Sequence, residues 1–182
     1  MKLSVPPETE APRIATGGCG DAPPPGMSLF AIDAVAESAA AEVLDRAREV
    51  MRGVLETLLR DTPEDRGPAS AIHHLPRWFV DASGPDQTPE DARDWLRQLE
   101  RMPPDERAEA EAAQRWSVSD FMYWLEPDQR EWWWWGAELL DADNLRICLA
   151  VQEPSFPHEA LDWLLRASGA SKVVDENVRD LS

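Results

Sequence analysis

The stretch that decides the fold runs from Glu131 to Gln152 and reads EWWWWGAELLDADNLRICLAVQ. Residues 131–141 and 145–152 are largely apolar, and a short polar segment rich in Asp and Asn lies where they meet. Apolar runs separated by such a segment are typical of antiparallel strands joined by a turn. The sequence therefore predicts a β-hairpin in the C-terminal third of the chain.

Residue parity predicts how the two strands of this hairpin pair, because successive side chains of a strand point to opposite faces. Each strand has one apolar set: Trp133, Trp135, Ala137 and Leu139 on the first, and Leu145, Ile147, Leu149 and Val151 on the second. Both sets face the same side only if the loop has an odd number of residues. We predict a three-residue loop, 142–144, with Asn144 in the left-handed region. This loop would pair Leu139 with Ile147.

Trp132 and Trp134 point to the other face of the predicted first strand, which they share with Glu138. An exposed pair of indoles would form a stacking platform for a sugar, a base or a cationic ligand. The alternative is that a helix covers this face and makes both indoles part of the core. The candidate binding residues are Trp132, Trp134 and Glu138, together with Arg146 on the second strand.

Helical patterns fill most of the chain before the hairpin. Apolar residues at helical spacing predict one long helix over 31–60, and Thr88 marks the N-cap of a second helix. Further helices are predicted over 105–115 and from Ser117 onward, where Ser117 and Asp120 have the spacing of a capping box. Residues 62–87 read as irregular, because proline and glycine interrupt them repeatedly.

The C-terminal end adds a helix over 157–167 and a short strand over 172–175. Strand, helix and strand at this spacing favour a right-handed crossover that lays the last strand parallel to a strand of the hairpin. The predicted fold class is α+β, with a helical N-terminal half packed on a small C-terminal sheet. Residues 1–27 are predicted to be a flexible Pro/Gly-rich tail or an extended strap on the surface. Residues 28–115 and 116–182 are predicted to be a helical region and a tryptophan-rich acidic module in one folded unit.

The chain is strongly acidic, with 18 basic and 35 acidic residues and a formal net charge of −17. Nucleic acids and anionic lipids attract Lys and Arg, so direct binding to nucleic acid or to a membrane surface is disfavoured. Residues 116–182 hold 13 acidic and only 5 basic side chains. This imbalance favours a protein partner with a basic surface.

Catalytic and metal-binding patterns are weak in this sequence. His73 and His74 are adjacent, and neighbouring side chains seldom ligate one metal ion, so no metal site and no cofactor are predicted. An enzyme is the alternative, with His73 or His74 as the base and Asp81 or Asp86 beside it. Such a site requires these side chains to converge in a pocket.

The two cysteines are Cys19 and Cys148. The first lies in the predicted tail and the second in a predicted strand, so we expect free thiols and a reducing compartment. The N-terminal residues lack the apolar run of a secretory signal, and no apolar stretch approaches the roughly 18 residues of a membrane span. A cytoplasmic location is therefore the expectation.

These patterns together predict a non-catalytic protein-interaction module of the adaptor or immunity type. Two alternatives stay open. One is a small hydrolase-like enzyme that uses His73 and His74, and the other is an acidic inhibitor that mimics nucleic acid. The sequence leaves the oligomeric state open.

Overall fold

The computed structural model describes residues 3–62 and 64–175. Its helices are α1 Pro7–Thr16, α2 Ala40–Arg60, α3 Pro68–His74, α4 Arg77–Ala82, α5 Pro89–Arg101, α6 Pro104–Ala113, α7 Val118–Leu125 and α8 Glu159–Ala167. Its strands are β1 Ser28–Ala36, β2 Trp132–Leu139, β3 Asn144–Val151 and β4 Ala170–Asp175. The α+β fold class and the hairpin predicted from the sequence are confirmed.

The four strands form one antiparallel sheet in the order β2-β3-β1-β4. Because β3 and β4 both run antiparallel to β1, they run parallel to each other with β1 between them. The expected direction of the last strand relative to the hairpin is therefore correct. β1 lies between the hairpin and β4 and pairs along both of its edges.

β1 itself is absent from the sequence prediction, which treats residues 31–60 as one long helix. The structure has β1 up to Ala36, and the helix α2 begins only at Ala40. β1 is a central strand, and its one buried charge, Asp33, is paired with Arg146 of β3. A strand buried on both faces lacks the polar alternation by which strands are recognised, so an alanine-rich example resembles a helix.

α2 packs on one face of the sheet, which we call the core face. Its buried side chains follow the predicted helical spacing: Val43, Leu44, Ala47, Val50, Met51, Val54, Leu55 and Leu58. The segment 62–87, which the sequence presents as irregular, contributes the short helices α3 and α4 to the same core, and α4 brings the fully buried Phe79. The helices α7 and α8 complete this cluster with Phe121 and Leu161.

Gly53 in the interior of α2 gives a test of this packing. Helix propensity alone favours alanine there by roughly 1 kcal/mol. A Cβ at Gly53 would, however, overlap the backbone carbonyl oxygen of His74. We expect Gly53→Ala to lower the free energy of unfolding in urea by about 1–3 kcal/mol. The control Gly67→Ala, whose Cβ would meet no atom within 4 Å, should stay within about 0.5 kcal/mol of the wild type. A stabilised Gly53→Ala variant would contradict the close approach.

The hairpin register differs from the prediction by two positions. Leu139 pairs with Leu145, so five residues, 140–144, lie between the last pair instead of three. The odd loop length demanded by side-chain parity is correct, but the expected pair of Leu139 and Ile147 is wrong. Parity fixes only whether the loop length is odd or even, so it allows both registers.

The hairpin loop is stabilised by a side chain and not by a left-handed residue. Among the described residues no non-glycine residue has a positive φ, so the expected left-handed Asn144 is wrong. Instead, the Asp141 carboxylate accepts hydrogen bonds from the backbone N–H groups of Asp143 and Asn144, each at 2.8 Å. The Asn144 side-chain amide and the Asp143 N–H hold the pKa of Asp141 below its usual value.

A β-bulge at Trp135 decides which tryptophans face the core. The pairing of β2 with β3 shifts between Trp134 and Gly136, so one extra residue lies on β2. Beyond a bulge the alternation of faces is reversed. Trp132 and Trp134 therefore share the core face with Ala137, and Trp133 and Trp135 lie on the opposite, outer face. The expected common face of Trp133, Trp135, Ala137 and Leu139 is wrong for this reason.

Residues 3–27, which we call the N-terminal strap, hold the helix α1, which neither the predicted tail nor the predicted extended strap includes. The strap covers the edge of β2: the Ala137 N–H donates to the Gly17 carbonyl at 3.0 Å, and Arg13 Nε donates to the Trp135 carbonyl at 2.8 Å. On the outer face, its residues Val5 and Met27 pack with Trp133, Trp135 and Ala150. The strap thus removes an open strand edge and buries two indoles.

A buried ion pair ties the strap to the start of β2. The Arg130 guanidinium donates to both carboxylate oxygens of Glu10, to Oε2 at 2.9 Å, and both side chains are almost fully buried. The Trp134 backbone N–H donates to the same carboxylate at 2.7 Å. Burial raises the pKa of Glu10, while Arg130 and the Trp134 N–H act in the opposite sense.

Candidate functional site

The four candidate binding residues of the hairpin do not form one surface. Trp132 and Trp134 are 1% and 0% exposed, so both belong to the core. Trp132 and Trp134 therefore do not form the expected stacking platform. The alternative, in which this face of β2 is covered and both indoles belong to the core, is correct. Glu138 and Arg146 are cross-strand neighbours on the outer face, where Arg146 is also bound to Asp33 through Nε at 2.8 Å and Nη2 at 3.1 Å.

Glu138 and Arg146 line a cavity of about 380 Å³ on the outer face, which we call the outer-face cavity. Its wall also contains Cys19 and Cys148, which form a disulfide with a Cα–Cα distance of 5.3 Å. The prediction that both cysteines are free thiols is therefore wrong. The strap brings Cys19 across 129 positions of sequence to β3, a contact that no local pattern announces.

The candidate catalytic residues lie on two short helices, His73 and His74 on α3 and Asp81 on α4. His73 is exposed, whereas His74 is partly buried with Nδ1 at 3.6 Å from Glu56 Oε2. Asp81 is exposed on α4, where its carboxylate lies 3.6 Å from Arg77 Nε. Within the described ranges no group of three or more His, Cys, Asp or Glu side chains is arranged to hold a metal ion.

A larger cavity, of about 510 Å³, lies between α6, the loop that follows it and α8. We call it the acidic tryptophan groove and define it by six of the residues that line it: Glu111, Trp116, Glu159, Asp162, Trp163 and Arg166. A second cavity of about 200 Å³ adjoins it at Trp116 and extends to Asp120 and Trp124. Three indoles and four carboxylates line the two cavities taken together.

Trp116 is held in the groove by its backbone neighbours. The Gly84 N–H donates to the Trp116 carbonyl at 2.8 Å in an isolated β-bridge. On one side, Arg115 donates to three carbonyl oxygens at the end of α4, those of Asp81, Ala82 and Ser83, at 2.7 to 2.9 Å. On the other side, Ser117 caps α7 as predicted, because its Oγ accepts the Asp120 N–H at 3.1 Å. These contacts fix the position from which the Trp116 indole projects.

Trp163 forms the opposite wall from α8. The side chain is 9% exposed and packs near Phe79, with 6.5 Å between ring centroids. Its Nε1 is buried and has no hydrogen-bond partner among the described residues. Within the described ranges the Trp163 N–H is therefore an unpaired buried donor of the core, and it is not presented to a ligand in the groove.

The charge of the groove is dominated by carboxylates. Glu111 and Glu159 are exposed, and neither forms an ion pair within the part of the chain that the structure describes. Asp162 lies beside His158, with 3.2 Å from Oδ1 to Nδ1, and Arg166 is the one cation among the lining residues. Indole faces attract cations, and carboxylates accept hydrogen bonds from ammonium or guanidinium groups. The groove is therefore suited to a cationic ligand.

Sequence reasoning missed this groove. Trp116 and Trp163 are isolated tryptophans in separate segments, and each looks like an ordinary core residue. The available signal was the excess of acidic residues after position 115, which pointed to the correct half of the chain but to no particular side chain.

Comparison with known proteins adds no relative. The chain matches no protein-family model, and neither a curated protein nor a solved structure is significantly similar to it. Among the described helices none is both long enough and apolar enough to cross a bilayer.

Proposed function

We propose that the protein is a non-catalytic protein-interaction module, of the adaptor or immunity type, that binds a basic segment of its partner in the acidic tryptophan groove. The observation that carries the proposal is the combination of Trp116 and Trp163 with the carboxylates of Glu111 and Glu159 around one cavity. A lysine or arginine side chain would meet both an indole face and a carboxylate there.

A peptide segment fits the groove better than a free cation. A cavity of about 510 Å³ is larger than a single ammonium or guanidinium group requires. The proposed ligand therefore presents a basic side chain together with its own backbone.

The two alternative functions gain less support. On α5 carboxylates alternate with arginines in i,i+3 ion pairs, Glu90 with Arg93 and Asp94 with Arg97, which is typical of a solvated surface and unlike a phosphate mimic. The enzyme alternative requires His73, His74 and Asp81 in one pocket, and none of the three lines the cavities described above.

A cytoplasmic location stays a proposal. The Cys19–Cys148 bond favours either an oxidising compartment or a redox-responsive role.

Peptide titration tests the groove. An arginine-rich peptide and a copy in which serine replaces each arginine are added to the protein, and the indole N–H signals of Trp116 and Trp163 are followed by NMR. We expect saturable shifts with the arginine-rich peptide only, and weaker affinity as salt screens the carboxylates. The double variant Glu111→Gln/Glu159→Gln should bind roughly tenfold more weakly, since each contact is worth on the order of 0.5–1 kcal/mol.

A matched control separates the groove from overall charge. Glu8→Gln/Glu37→Gln removes the same two negative charges from exposed positions outside the groove. We expect this variant to bind the peptide as tightly as the wild type. Equal losses in both double variants would indicate non-specific attraction to an acidic protein, and absence of saturable binding would reject the groove as the site.

A further inference from the structure

The disulfide on the outer face is strongly asymmetric. Cys148 lies on the inner strand β3 and is 4% exposed. Cys19 is more accessible and belongs to the strap, with Gly18 and Gly20 on either side. An attacking thiolate must reach one sulfur of a disulfide while the other departs. The exposure difference directs attack to Cys19 and makes Cys148 the departing sulfur.

The outer-face cavity provides the approach. Its volume of about 380 Å³ lies directly beside both cysteines, and Ala31, the residue opposite Cys148 on β1, leaves room in its wall. This space admits a small thiol without movement of the sheet. Accessible disulfides are the ones that exchange readily with small thiols, whereas enclosed ones resist exchange.

We propose that Cys19 is a site of reversible S-thiolation by a low-molecular-weight thiol such as glutathione. The thiolate of the small thiol attacks Cys19 Sγ and forms a new S–S bond to it. The Cys19–Cys148 bond breaks, and its electron pair leaves on Cys148 Sγ, which takes a proton from water. The exchange involves no net oxidation or reduction, and attack by Cys148 on the mixed disulfide restores the original bond and releases the thiol.

The exchange would free only part of the strap. α1 stays anchored by the Glu10–Arg130 pair and by Ile14, which belongs to the main core. Residues 18–26 lose the disulfide that ties them to β3. Among the described residues, the Trp135 indole N–H still donates to the Ala22 carbonyl at 2.9 Å, and Arg13 still donates to the Asp21 carboxylate at 2.7 Å. Thiolation at Cys19 would therefore loosen the cover over Trp135 while the core stays folded.

Mass spectrometry of the oxidised full-length protein tests the assignment. The protein is incubated anaerobically with reduced glutathione, quenched with acid, alkylated and digested with trypsin. Cleavage after Arg13 and Arg146 places the two cysteines in different peptides. We expect the glutathionyl group on Cys19 in at least roughly tenfold excess over Cys148, the ratio that the exposure difference favours. A modification at Cys148, or equal modification of both cysteines, would overturn the proposal.

Two cysteine variants cover the case in which the mixed disulfide resolves too quickly to be trapped. With glutathione disulfide as the probe, Cys19 in the Cys148→Ser variant should react at least about tenfold faster than Cys148 in the Cys19→Ser variant. Similar rates in the two variants, each shown to be folded by circular dichroism, would overturn the proposal.

Filling the cavity tests the route of attack. Ala31→Leu should slow the exchange of the wild-type disulfide several-fold without changing the far-UV spectrum, because leucine would occupy the approach to both sulfurs. Ala113→Leu on the exposed end of α6 serves as the control and should exchange at the wild-type rate. An unchanged rate in Ala31→Leu would show that the cavity is not the route, and so would count against the proposal.

Discussion

Arg130→Met is expected to lower the free energy of unfolding by about 3–5 kcal/mol, the usual cost of removing one partner of a buried ion pair. The variant leaves the Glu10 carboxylate in a site with 0% exposure and without its guanidinium. Within residues 3–62 and 64–175, only the Trp134 N–H would still donate to it. Urea unfolding followed by circular dichroism measures the loss. Arg97→Met is the control, because Arg97 pairs with Asp94 on the exposed surface and should change stability by less than about 1 kcal/mol.

The free energy of unfolding that Arg130→Met loses should depend on pH, and the pKa of Glu10 fixes the direction of that dependence. Burial already raises the pKa of Glu10, and removal of Arg130 takes away the main opposing influence. A carboxyl whose pKa is higher in the folded than in the unfolded state contributes stability below the unfolded pKa and loses it as pH rises through the folded pKa. The deficit of Arg130→Met should therefore grow from weakly acidic to neutral pH.

The double variant Glu10→Gln/Arg130→Met isolates the charge. It removes both ions and keeps an amide oxygen that can accept the Trp134 N–H, so it should be more stable than Arg130→Met alone. Its stability should also show none of the additional pH dependence caused by Glu10. A double variant as unstable as Arg130→Met would mean that the lost arginine packing, and not the stranded carboxylate, accounts for the cost.

Trp134→Ala is expected to destabilise the protein by about 3–5 kcal/mol, the range for a large aromatic side chain removed from a core. Trp134 is fully buried in the main cluster, and the bulge at Trp135 is what turns it toward the core. The cavity left behind cannot collapse easily, because the strands on which it lies are held by the sheet. Urea unfolding monitored by circular dichroism measures the effect independently of tryptophan fluorescence.

Two other tryptophans calibrate that result. Trp133 packs in the small outer-face cluster, so Trp133→Ala should cost less than Trp134→Ala. Trp124 is 37% exposed, so Trp124→Ala should cost about 1 kcal/mol or less. The expected order of losses is therefore Trp134, Trp133 and Trp124. A larger loss at Trp133 than at Trp134 would contradict the face reversal at the bulge.

Features that depend on neighbouring residues could be predicted from the sequence. The N-cap at Thr88 is confirmed, with Asp91 completing a capping box. The Ser117 cap, the buried stripe of α2 and the odd loop length of the hairpin are also confirmed. Each of these rests on residues within a few positions of one another, where side-chain spacing and backbone geometry are directly linked.

Features that depend on distant segments could not be predicted in this way. β1 resembles a helix until β3 and β4 are placed on either side of it. The groove needs Trp116 and Trp163 from separate elements, and neither residue carries a local signal of binding. The sequence therefore indicated the half of the chain that holds the candidate site, through its acidic excess, but not the residues that form it.

The tryptophan run 132–135 shows most clearly what the sequence determines and what only the tertiary structure decides. Alternation along the strand by itself determined that the four indoles of 132–135 divide between two faces, and the flanking turn determined that they belong to a hairpin. Only the tertiary structure decided which pair enters the core, because one extra residue at the bulge reverses the alternation. The tertiary structure also decided that the strap covers the other pair. The Cys19–Cys148 bond and the Glu10–Arg130 pair hold the strap in place, and each joins segments more than a hundred residues apart. Contacts at that separation depend on where the whole chain folds, and no spacing within a strand or helix records them.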